Sequence, residues 1–204
     1  MMSEFLLPVP VLIIDHQAMT SKTVLFNILG NLGYPEDLIT FSENLADAEQ
    51  QIFNQLPNLI FLVITQQSDI AFIHKIKKIY PSSNLIILVN EQSTDLTLHA
   101  IQLGATAYML IQQPLEDTYN QLKTILRGGA ALHPSFAKFL LSETFSPQKN
   151  AAPKQFSLNP AEYQILDMVS HSATQEQMVR ELKLSTYQID GFVKNIYRKI
   201  SSYS

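Results

Sequence analysis

The stretch Pro57-Asn-Leu-Ile-Phe-Leu-Val-Ile-Thr65 decides the fold. Its apolar residues run on without alternation, so a strand built from it must be buried on both faces. Val11-Leu-Ile-Ile14, Asn84 to Val89 and Thr106 to Ile111 repeat the pattern, and a weaker strand, Leu38 to Phe41, follows the turn at Pro35. Between these runs lie helical patterns over residues 20–32, 45–56, 70–80, 94–103 and 115–126. In the third, Ile70, Ile73, Ile76 and Tyr80 recur near every 3.6 positions and leave Lys75 and Lys78 for water. Strands alternating with helices at such short connections force parallel pairing, with helices on both faces of the sheet. The prediction is an α/β domain with a doubly wound five-stranded parallel sheet. Its chemistry should gather outside the carboxyl ends of the strands.

The rest of the composition narrows the function. Of 204 residues, 46% are hydrophobic and 16% charged, which suits packed domains and not a disordered chain. With no cysteine, thiolate catalysis, cysteine-held zinc and a disulfide framework are all excluded. The histidines, at 16, 74, 99, 133 and 171, show no paired spacing, so neither a metal nor a cofactor is expected. No Ser/His/Asp arrangement follows from the spacing, and no enzyme is predicted. Met1 to Glu4 carries no positive region, Pro8 and Pro10 interrupt the apolar run that follows, and no apolar stretch nears the roughly 18 residues that cross a bilayer. A soluble, cytoplasmic protein without a membrane partner is the expectation.

Charge divides the chain in two. Residues 1–148 hold 7 Lys/Arg against 13 Asp/Glu, a net of −6, whereas residues 149–204 hold 7 against 5, a net of +2. The change falls in Ser146 to Ser157, whose Pro147 and Pro153 and lack of apolar periodicity read as an exposed linker. Beyond it, Asn159 and Pro160 open a helix whose apolar stripe is Ile165, Leu166, Met168 and Val169. Thr174 with Gln177 is a capping-box pattern for a second helix that ends at Leu182. Lys183-Leu184-Ser185 makes a short turn, and Ser185 caps a third helix with Ile189, Val193, Ile196 and Ile200 on its buried side. Two helices joined by so short a turn form a helix-turn-helix. The predicted organisation is therefore 1–128, an α/β domain; 129–157, a linker helix and flexible linker; and 158–204, a small all-α domain.

The motifs VLIIDHQ, LPNLIFLVI and LHAIQLGATAYML make residues 9–128 resemble the receiver domain of bacterial two-component response regulators. The resemblance implies, for an active receiver, an aspartate phosphoacceptor ending the third strand and Mg²⁺ on acidic groups after the first strand. A hydroxyl ending the fourth strand and a lysine ending the fifth complete that site. Here those positions fall on Val63, Val89 and Ile111, and only Asp15 of the acidic pair remains, followed by His16. No phosphoacceptor is therefore expected, and the old site should have become core. Asp69, six residues beyond Val63, better serves the start of the next helix. Asp15 is expected to be a solvated carboxylate at a strand end.

Leu158 to Ile200, ending in NIYRKI, is similar along its whole length to the LuxR-type DNA-binding domain of NarL/FixJ regulators. Gly129 to Leu141 resembles the linker helix of that family. The resemblance implies double-stranded DNA as partner. Thr186, Tyr187, Asp190, Gly191, Lys194 and Arg198 should face outward, and DNA contacts are expected from Lys183, Ser185, Thr186, Tyr187, Gln188, Asp190, Lys194, Arg198 and Lys199. Family members often carry lysines where this chain has Tyr187 and Asp190. With charge this thin, affinity should depend on a homodimer.

The leading expectation is an atypical response regulator, a DNA-binding transcription regulator that works without aspartyl phosphorylation, with a protein partner sensed through the receiver-like domain. The alternative is an interaction protein that has lost DNA binding and regulates by pairing with another regulator.

Overall fold

The computed structural model describes residues 8–16, 21–145 and 157–202. The expected linker at 146–156 lies outside these residues. The chain forms two compact units, Met1–Arg127 and Gly128–Ser204.

The first unit holds β1 (Val11–Ile14), α1 (Ser21–Asn31), β2 (Ile39–Ser42), α2 (Leu45–Gln55), β3 (Leu59–Val63), α3 (Gln67–Ile79), β4 (Asn84–Val89), α4 (Thr94–Gln102), β5 (Ala107–Leu110) and α5 (Leu115–Leu126). The strands form one parallel sheet in the order β2-β1-β3-β4-β5. Every residue of β1, β3 and β5 is buried, as continuous apolar runs require when helices cover both faces. Register follows from the same burial: Leu59 pairs with Val11 on one side and Asn84 on the other. One core layer joins Val11, Ile13, Phe61, Val63, Ile86 and Met109 of the strands to Leu25, Ile28 and Leu29 of α1.

Helix boundaries show where local chemistry overrules periodicity. α3 begins at Gln67, ahead of the predicted Ile70. The cause is Asp69, whose Oδ2 accepts the backbone N–H groups of Thr65 at 2.9 Å and Gln66 at 3.1 Å. Those bonds satisfy amides that the new helix would otherwise leave orphaned. α5 ends as its sequence suggests: Arg127 caps it and Gly128, at φ +78°, turns the chain in a conformation that favours glycine.

The second unit contains α6 (Pro134–Phe145), α7 (Pro160–Ser170), α8 (Gln175–Leu182) and α9 (Thr186–Ser201). α6, the segment that reads as a linker helix, packs on α7 and buries Phe136, Ala137 and Leu140. The Tyr197 hydroxyl of α9 donates to the Ala131 carbonyl just before α6. The helix-turn-helix thus rests on a fourth helix.

Candidate nucleic-acid interface and the closed strand-end site

Three side-chain caps set the helix-turn-helix. Asn159 Oδ1 accepts from Glu162 N at 2.8 Å, and Glu162 Oε2 accepts in return from Asn159 N at 2.8 Å. Thr174 and Gln177 reciprocate in the same way at the start of α8. Ser185 and Gln188 do so at the start of α9. Lys183 provides the turn: it closes α8 in the left-handed region at φ 55°. Caps of this kind are worth about 1 kcal/mol each and fix where α9 begins.

Ile189, Val193, Ile196, Tyr197 and Ile200 anchor α9 in the core. Thr186, Tyr187, Gln188, Lys194 and Arg198 remain exposed, Tyr187 at 79%. Asp190 and Gly191, expected to face outward, are half-buried, and Asp190 is in contact with α8. Asp190 Oδ1 accepts a hydrogen bond from Gln175 Nε2 at 3.3 Å. Burial pushes the Asp190 carboxyl up, and the Lys194 ammonium pulls it back only in part. Gln175, Glu176, Val179, Arg180 and Thr186 line an open groove of about 400 Å³ between α8 and α9.

Several of the expected contact residues have partners within the protein. Lys199 Nζ sits 2.6 Å from Glu162 Oε2 and 2.6 Å from the Ser157 carbonyl. Glu162 is only 1% exposed, and a buried carboxylate without its cation would be costly, which ties the one-third-exposed Lys199 to it. Ser185 and Gln188 are engaged with each other in the cap. Arg198 reaches Asn195 on its own helix. Arg180, which is not among the expected contacts, is an exposed cation at the groove. Gln175 was also missed, since nothing in its local sequence announces a partner 15 residues away. The Ser185/Gln188 pair did carry a signal, the Ser-x-x-Gln pattern.

In the first unit, Val63 ends β3 fully buried within the core layer, Val89 ends β4 fully buried, and Ile111, just after β5, packs against that same layer. Asp15 is 4% exposed, so it is not the solvated carboxylate expected. The reason is that pairing runs on past β1: Asp15 N donates to the Ser42 carbonyl at 3.0 Å, which keeps residue 15 between its neighbours. His16 Nε2 lies 3.2 Å from Asp69 Oδ1, and Asp69 is 1% exposed with its other oxygen taken by the α3 cap. These residues do not fit a divalent cation, which needs several oxygen ligands at one open place. Among the described residues no group of three His, Asp or Glu side chains comes together.

No family model matches the chain. The oxygen regulatory protein NreC of Staphylococcus carnosus is 19% identical over 183 residues, which span 86% of this chain and 84% of that protein. A two-component response regulator of the LuxR family from Aurantimonas sp. SI85-9A1 superposes with a TM-score of 0.58 at 16% identity, over 69% of this chain and all of that one. The two-component response regulator RcsB, solved as an RcsB–DNA complex, superposes with a TM-score of 0.53 at 16% identity, over 96% of this chain and 93% of its own. The chain is thus similar to two-component response regulators, and it shares with these structures a fold in which a receiver-like domain is followed by a helix-turn-helix. Among the described residues no helix is long and apolar enough to cross a membrane.

Proposed function

We propose that the chain is a cytoplasmic transcription regulator that binds double-stranded DNA through α8 and α9 as a homodimer, with a receiver-like domain that works without aspartyl phosphorylation. The observation that carries this reading is the outward face of α9. A capped turn holds it, and Thr186, Tyr187, Lys194 and Arg198 stand exposed beside Arg180 and Lys183 of α8 and its cap. DNA in complex with RcsB, a structural neighbour along nearly the whole chain, supports the same partner here. Exposed cations this few give a monomer weak affinity, and a dimer doubles the phosphate contacts. For the first domain, the support is chemical: valine offers no nucleophile at the end of β3, and the carboxylate that remains, Asp15, is buried.

Fluorescence anisotropy of a labelled duplex, titrated with protein near 50 mM salt, tests the reading. Binding is expected, and Lys194→Ala should flatten the dependence of log K on log salt by about 0.9 per lost phosphate contact. Acetyl phosphate with Mg²⁺ should leave the intact mass unchanged. A phosphoryl group gained on an aspartate would overturn the phosphorylation-independent part.

A second reading is favoured by Asp190, an anion on the face that meets phosphate, and by the loss of Lys199 to Glu162. In that reading the chain binds no duplex and acts by pairing with another regulator through its receiver-like domain. Failure to bind any duplex in the titration, with a regulator co-purifying, selects it.

A further inference from the structure

Gln175 opens α8, Asp190 lies in the second turn of α9, and a hydrogen bond joins them. The donor is the amide nitrogen of Gln175, and Asp190 Oδ1 accepts. A carboxylate has a second acceptor oxygen, Oδ2. Thr186, which lines the groove with Gln175, precedes Asp190 by one turn and shares its side of α9. A carboxylate in this place repels phosphates and accepts hydrogen bonds from amines. On the major-groove edge of a base pair only cytosine N4 and adenine N6 present donors, whereas guanine and thymine present acceptors. Adenine also sets its N7 acceptor beside the amine, against which a carboxylate is repelled; cytosine does not.

We propose that Asp190, held by Gln175, reads the amine of a cytosine in the major groove, so that the DNA sites of this protein carry a cytosine at one fixed position in each half-site. This rests on the reading of α9 as the DNA-facing helix. Gln175 is then a positioning residue for the Asp190 carboxylate. Lys194, one turn further along α9, moderates the negative charge. The pairing turns a position unfavourable for general affinity into one that discriminates between sequences.

The test begins with selection of duplexes from a randomised pool by the full-length protein, followed by anisotropy titration near 50 mM salt. Each enriched duplex is compared with one in which the cytosine is replaced by thymine. The wild type should lose about tenfold in affinity on that replacement, within the range that one good base contact provides. Asp190→Ala should bring the ratio close to one. Asp190→Asn is the milder variant: its amide can present either an oxygen or an amine to the base while Gln175 turns to match, so the cytosine preference should shrink without vanishing. A role confined to holding α8 against α9 would weaken both duplexes alike and leave their ratio at the wild-type value in Asp190→Ala. If the wild type binds duplexes but no cytosine is enriched, or if Asp190→Ala keeps the wild-type preference, the proposal falls and DNA binding stands. If the wild type binds no duplex at all, both fall together.

Discussion

The carboxyl ends of β3, β4 and β5 and the outward face of α9 treat polarity in opposite ways. At the strand ends the side chains are Val63, Val89 and Ile111, drawn into or against the core, and the carboxylate of Asp15 is enclosed with them. On α9 the caps of Ser185 and Thr174 use local polar groups to satisfy backbone amides, which leaves Thr186, Tyr187, Lys194 and Arg198 exposed. Strand ends in a doubly wound sheet form a ligand site only when polar side chains stand there. The same architecture with apolar ends becomes a packing element. A short helix-turn-helix has the reverse problem: its surface is useful only while each helix terminus is satisfied without recruiting the outward residues.

The strongest way to break this contrast is to introduce a carboxylate at the apolar strand ends. Val63→Asp places a charge in a fully buried position of an apolar core layer. Unpaired buried charges cost several kcal/mol. Urea denaturation followed by circular dichroism should show the variant destabilised by about 4 kcal/mol, or unfolded. A variant of wild-type stability would mean that the strand ends are open, and would remove the main support for a receiver that does without phosphorylation.

A smaller effect probes the second unit. Lys199→Ala leaves Glu162 buried beneath its own cap without the ammonium 2.6 Å away. Lys199 is itself one-third exposed, so water screens part of the interaction, and a loss of about 2 kcal/mol is expected instead of the larger figure for a sealed pair. If stability were unchanged while the salt slope of DNA binding fell, Lys199 would be a phosphate contact after all, and the division between structural and outward cations would fail.

How far the sequence already revealed both regions depends on the range of the interactions. Continuous apolar runs specify buried strands from local information, and β1, β4 and α5 fall where those runs and periods place them. The caps at Asn159, Thr174 and Ser185 are equally local, three residues from donor to acceptor. Asp15 misled because a carboxylate at a strand end is solvated or buried according to a neighbouring strand, here Ser42, 27 residues away. The Lys199–Glu162 pair is illegible for the same reason, since the two residues lie 37 positions apart. α6 reads as a connector from its position in the chain, whereas its burial of Phe136 and Leu140 on α7 depends on a helix beyond the undescribed stretch. The Gln175–Asp190 contact had no signal at all, because glutamine and aspartate on exposed turns are ordinary surface residues until two helices bring them together.

The finest probe separates the half-buried charge of Asp190 from the open charges around it. Burial raises the carboxyl of the folded protein above its ordinary value, so the folded state binds the proton more tightly than the unfolded state does. Stability from this group is therefore fully present below the unfolded value and is lost as pH rises through the raised folded value. At pH 7 the ionised Asp190 is a net cost that Lys194 only moderates. Asp190→Asn removes that cost and keeps an oxygen for Gln175. Thermal unfolding should show the variant slightly more stable than wild type at pH 7, with the gap closing as pH falls through the carboxylate range. A gap of constant size would mean that Asp190 is as well solvated as Lys194 or Arg198. In that case α9 would present a uniformly open face, and the difference between a half-buried acceptor for a base and exposed cations for phosphate would disappear.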